Sequence, residues 1–234
     1  MSRALKSLAA VAAVVMIVLL VLRTVDNVQG GDDETPAGSA PPAPERTVPP
    51  IPDEAPAEGL YVVSQVTEDG EVQVQTWLRS PQPVSELTLT TTDPDLAPGS
   101  VESLDLVVRS LENKVLARRD SVGTNRQRIE LRSPTTELYF SYTIDGALSS
   151  ASETVDGRGL VRVLGMDVEY AGQAGTVRRL VEAPGTVLNV ACLKPKEDFD
   201  AAPRPCGSST ESGGWQVDLT GADLQDRLIA SIES

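Results

Sequence analysis

From Gly59 onward, apolar and polar residues alternate with a period of two. Val72, Val74, Thr76 and Leu78 share one face, and Leu87, Leu89 and Thr91 repeat the pattern beyond Pro81 and Pro83. Leu104, Leu106 and Val108 follow, then Ile129 and Leu131, then Leu138, Phe140, Tyr142 and Ile144. In the second half, Val161 with Val163, Val168 with Tyr170, Leu188 with Val190 and Cys192, and Trp215 with Val217 and Leu219 continue it. Alternation of this kind buries one face of a strand and wets the other, as antiparallel sheets do. Turn-forming residues separate the runs, among them Glu68-Asp69-Gly70, Asp145-Gly146, Pro184-Gly185 and Gly213-Gly214. The pattern predicts an all-β fold, an antiparallel β-sandwich of the Ig-like or a related kind.

The C-terminus reads two ways. Thr220 and Asp223 resemble a helix-capping pair, with Leu224, Leu228 and Ile232 at helical spacing. Leu228, Ala230 and Ile232 equally alternate as a strand, and the neighbouring strands favour that reading. The β-region covers residues 59–234, about 175 residues, a length that suits one large sandwich or two small ones. The stretch at 149–159 is the candidate seam, and a single domain is the expectation.

Before Gly59 the pattern changes twice. Residues 4–22 form an apolar run with no charge from Ser7 to Leu22, flanked by Lys6 and Arg23. At about 1.5 Å per residue, roughly 19 helical residues cover a hydrocarbon core near 30 Å. Arg3 and Lys6 precede the run, while Asp26, Asp32, Asp33 and Glu34 follow Arg23, which places the N-terminus in the cytoplasm. Residues 1–25 thus read as a cytoplasmic tip and single-pass signal-anchor in the lipid bilayer. The alternative is a secretory signal cleaved near Val28-Gln29-Gly30, giving a secreted protein. Either way the bulk of the chain lies outside the cytoplasm. Residues 26–58 contain eight prolines from Pro36 to Pro56 and almost no large apolar side chain. Such a segment reads as a disordered, acidic, extended tether.

Composition removes several classes of chemistry. The chain has no histidine, which excludes Ser-His-Asp and Cys-His catalysis and leaves metal sites poorly supplied. No catalytic residue, cofactor site or metal site is assigned. Carboxylates are plentiful, so a carboxylate-dependent hydrolase of envelope carbohydrate stays open as an alternative. Against it, aromatic residues, the usual platforms for sugars, make up 3% of the chain. The net charge of −14 disfavours nucleic acid as a partner. The two cysteines, Cys192 and Cys206, read as a structural disulfide in an oxidising compartment.

Two surface features are candidates for interaction. Arg126, Arg128 and Arg132 share the outward face opposite Ile129 and Leu131. They form either a basic binding face or a solvated one paired with Glu112, Asp120 and Glu130. Trp77 is out of phase with Val74 and Leu78, and Tyr139 is out of phase with Leu138 and Phe140. An exposed Trp is a binding anchor, whereas one covered by a loop or second layer is the commoner arrangement.

Val187-Leu188-Asn189-Val190-Ala191-Cys192, then Pro205-Cys206-Gly207 and Trp215, carry a family likeness. With the short tip, single helix, Pro-rich tether and Arg-rich, Lys-poor β-region, the chain resembles single-pass envelope proteins of high-GC Gram-positive (actinobacterial) bacteria. That group has no assigned activity, so the likeness implies no catalytic residue. The expected function is a membrane-anchored extracytoplasmic interaction or structural module, with another envelope or membrane protein as partner.

Overall fold

The computed structural model describes residues 47–91, 101–149, 158–173, 175–195 and 204–233. The apolar run at 4–22, the tether up to residue 46 and most of the 149–159 stretch lie outside the described residues. In chain order the strands are β1 (Gly59–Val66), β2 (Val72–Thr90), β3 (Glu102–Ser110), β4 (Val115–Val122), β5 (Gln127–Asp145), β6 (Leu148–Ser149) and β7 (Arg158–Val161). They continue as β8 (Asp167–Glu169), β9 (Thr176–Glu182), β10 (Thr186–Leu193), β11 (Arg204–Pro205), β12 (Ser208–Ser209), β13 (Trp215–Thr220) and β14 (Arg227–Glu233). Among the described residues the structure is all-β, and no helix there is long and apolar enough to cross a membrane. The C-terminal segment is the strand β14, preceded by a 3-10 turn at Gly221–Asp223.

Among the described residues the strands form a nine-stranded sheet ordered β12-β13-β9-β1-β2-β5-β3-β4, with β8 also on β2, and a five-stranded sheet ordered β11-β10-β14-β7-β6. The expectation of wholly antiparallel pairing is corrected at one place, because β1 and β9 run parallel from Gly59 beside Thr176. Two glycines permit this junction. A Cβ on Gly59 would stand 2.0 Å from the Thr176 carbonyl oxygen, and one on Gly175 would stand 2.4 Å from that of Glu58. Both also have positive φ, 116° and 94°, which side-chain-bearing residues rarely adopt.

The core is contiguous across both sheets. Val72, Leu78, Ile129, Phe140 and Ile144 of the larger sheet join Val161, Val190 and Ala230 of the smaller, each no more than 1% exposed. Residues on either side of the 149–159 stretch therefore share one core. Burying each large side chain contributes about 1.5–3 kcal/mol, before the entropy of ordering the chain is subtracted.

Four predicted runs merge into two strands. β2 continues through Pro81 and Pro83, and β5 continues through Pro134. Proline donates no ladder hydrogen bond, so the pairing of β2 with β5 is interrupted between Arg79 and Glu86 and then resumes in its former register. Two bulges move expected core residues. In β3, Asp105 has a φ of 55°, and Ser103 rather than Leu104 faces the core. In β10 the register shifts between Val187 and Asn189, so Val187 is buried and Leu188 only half-buried.

Candidate functional site

The larger sheet carries its unusual chemistry on the face turned away from the core. Period-two alternation sends Tyr61 of β1, Trp77 of β2 and Tyr139 of β5 to that face, and the strand register sets them side by side. The ring centroids of Tyr61 and Trp77 are 5.8 Å apart, and those of Trp77 and Tyr139 are 5.3 Å apart, both tilted. Tilted aromatic pairs at such distances add to simple burial. The row continues in both directions: Arg178 of β9 lies beside Tyr61, Asp218 of β13 beside Arg178, and Arg109 of β3 beside Tyr139.

This row is covered. Trp77 is 4% exposed and Tyr139 is 7% exposed, and Val48, Ile51 and Ala55 pack against the cluster they form with Tyr61. The Trp77 indole Nε1 donates a hydrogen bond to the Pro49 carbonyl at 3.3 Å. Arg178 donates to the Glu54 carbonyl at 2.5 Å and holds Asp218 through two bonds of 2.6 and 2.9 Å. Burial lifts the Tyr61 phenol above its usual range, and the nearby Glu54 and Glu182 charges add to the rise. The Asp218 hydrogen bond likewise raises Arg178 against the opposing effect of burial. Residues 47–58, placed by composition in the disordered tether, therefore form a proline-rich strap across the sheet. The physical reason is the aromatic row: it offers apolar surface to the few apolar side chains the segment has.

The basic strip lies elsewhere. Arg126, Arg128 and Arg132 sit at the other end of β5 or just before it, beyond the Pro134 interruption from Tyr139. The side chains of Arg126 and Arg128 are 66% and 71% exposed, and they pair with Glu169 and Glu86. These partners replace the expected Glu112, Asp120 and Glu130. Arg132 is exposed. Arg126 and Arg128 are thus engaged in pairs of opposite charge, and the strip lies apart from the aromatic row.

The cysteines form the expected disulfide, with Cα atoms 5.8 Å apart. Trp215 Nε1 donates to the Cys206 carbonyl at 2.8 Å, which fixes the far end of the bridge against β13. Beside it, the Asp226 side chain is 1% exposed, with Lys194 Nζ at 3.1 Å and Arg204 Nη2 at 2.8 Å. Lys194 also meets Asp223; that contact lowers the Asp223 carboxyl and raises the Lys194 amine. Together these groups hold both ends of the disulfide loop to the turn before β14.

Sequence reasoning found Trp77 and Tyr139 through their phase but missed Tyr61, Arg178 and the strap. Tyr61 lies in an apolar run, Leu60-Tyr61-Val62-Val63, where the pattern cannot show its face. β9 is hidden because Arg179 occupies a core position between Val177 and Val181. Among the described residues there is no group of three or more His, Cys, Asp or Glu placed to hold a metal.

No protein-family model and no curated protein matches the chain. Among solved structures, a crystal structure of an aminopeptidase N family protein from Idiomarina loihiensis is similar over 73% of this chain and 29% of its own, with 14% identity and a TM-score of 0.37. A likeness at that level assigns neither fold nor activity.

Proposed function

We propose that the chain is a membrane-anchored interaction module of the cell envelope, with an Ig-like or related β-sandwich outside the cytoplasm and the bilayer anchor at residues 4–22. The observation that carries the reading is the aromatic row of Tyr61, Trp77 and Tyr139 on the non-core face of the sheet, bound to a proline-rich strap. A sheet face that only needed solubility would be polar throughout. An aromatic surface with an indole donor suits extended proline-rich chain, whose low conformational entropy makes docking inexpensive. The strap occupies this surface in the resting molecule, and a partner envelope protein engages it when the strap lifts. The disulfide supports the extracytoplasmic side of the proposal, since such bonds persist in oxidising compartments.

The test is photo-crosslinking in intact cells. One probe replaces Leu111, a half-buried neighbour of the aromatic cluster, and a control probe replaces the distant Arg128. Capture of one dominant envelope protein from position 111 supports the module. Equal, diffuse capture from both positions removes it. Mass analysis of the mature N-terminus, run on the same material, separates an anchored chain from one cleaved near Gly30.

A further inference from the structure

Arg179 is a charged residue at a position where the fold calls for an apolar one. Val177, Arg179 and Val181 form the core face of β9, and Arg179 stands between Val62 of β1 and Val217 of β13. It is 8% exposed, forms no ion pair among the described residues, and its Nε has no hydrogen-bond partner there. An isolated cation in a protein core is among the costliest arrangements a fold can hold. Room has nevertheless been left for it. A Cβ on Gly165 would stand 2.8 Å from the Arg179 Nη1 atom and 3.5 Å from the Tyr142 hydroxyl. The Tyr142 oxygen is itself fixed by the Met166 backbone N–H at 2.9 Å.

A cavity of about 90 Å³ adjoins the guanidinium, lined by Leu60, Val62, Val168 and Val177 and by Thr76. That is several times the roughly 10–15 Å³ that admits one water. The Thr76 hydroxyl oxygen is buried, makes no hydrogen bond among the described residues, and lies near the Tyr142 phenol. Two polar side chains with unused hydrogen-bonding capacity thus border one cavity whose lining is part apolar and part polar. Asp167 and Glu169 also line it, and Glu169 is engaged by Arg126.

We propose that this cavity binds a small monocarboxylate. The planar guanidinium matches a carboxylate in fork geometry, the Thr76 hydroxyl supplies a further donor, and a short alkyl tail lies against Leu60, Val62, Val168 and Val177. The lining holds a single cation, so the second charge of a dianion such as phosphate would go unmatched, and phosphate is the poorer ligand. This site is independent of the aromatic row.

The test is thermal unfolding of the full-length chain in detergent, with sodium propionate, sodium chloride or sodium phosphate at matched ionic strength. Propionate raises the melting temperature saturably, as ligand linkage requires, and chloride and phosphate do not. Arg179→Met loses the propionate response while keeping or raising the basal melting temperature, since an apolar chain replaces an unpaired charge. Thr76→Val preserves side-chain volume and weakens apparent affinity about tenfold, which keeps the site testable should Arg179→Met fail to fold. The proposal is overturned if wild type shows no propionate response, if phosphate matches propionate, or if Arg179→Met or Thr76→Val responds like wild type.

Discussion

Replacing Trp77 with alanine tests the strap and the aromatic row together. Trp77 is almost fully buried on the non-core face, between Tyr61 and Tyr139, in a cluster against which Ile51 packs. A buried Trp removes about 150–250 Å² from water, worth about 4–6 kcal/mol at ~25 cal/mol per Å². Collapse of the strap into the gap recovers part of this, so Trp77→Ala is expected to destabilise by about 3–5 kcal/mol. Trp77→Phe keeps an aromatic ring in the row and loses the bond to the Pro49 carbonyl, for a cost of about 1 kcal/mol. Urea unfolding followed by circular dichroism measures the global change. Hydrogen exchange of residues 47–58 measures the local one, and those amides should exchange much faster in Trp77→Ala than in Trp77→Phe. A loss below about 1 kcal/mol with unchanged exchange at 47–58 would show that the strap does not rest on the indole.

Three further outcomes follow from the same structure. Opening the Cys192–Cys206 bridge, which spans a sequence separation of 14, should cost about 3 kcal/mol in urea unfolding with and without reductant. Asp226→Asn removes the charge that Lys194 and Arg204 surround; because both cations reach solvent, the loss should be roughly 2 kcal/mol, below that of a fully buried pair. Burial raises the Tyr142 phenol from 10.0 to about 12, partly countered by the Met166 N–H and the Arg179 charge. Its folded pKa lies above the unfolded one, so its contribution is fully present below pH 10 and is lost as pH rises towards 12. Two units correspond to about 3 kcal/mol, and Tyr142→Phe should flatten that alkaline loss in paired urea titrations.

The all-β architecture was legible because Val72 to Leu78, Leu138 to Ile144 and Trp215 to Leu219 keep strict alternation. Legibility failed where a physical detail breaks the period. Bulges at Asp105 and near Leu188 shift which residue is buried, and a turn-like proline pair inside β2 disguises one strand as two. Arg179 on a core face hides β9, and with it the parallel pairing to β1. At the candidate site, the phase of Trp77 and Tyr139 could be read from one dimension. Their adjacency to Tyr61 and Arg178 could not, because it depends on the register of separate strands. The strap was invisible for a different reason: Val48, Ile51 and Ala55 are too sparse among prolines to form a period, and their packing depends on a surface elsewhere in the chain.

The most direct test of the interaction module compares crosslinking yield from position 111 in cells carrying wild type and Ile51→Ser. Ile51→Ser weakens the apolar contact of the strap with the row while leaving the sheet intact. The expected result is one envelope protein captured from position 111, severalfold more in Ile51→Ser, with little capture from position 128 in either chain. A yield unchanged by Ile51→Ser, or capture that does not distinguish the two positions, would contradict a partner site beneath the strap.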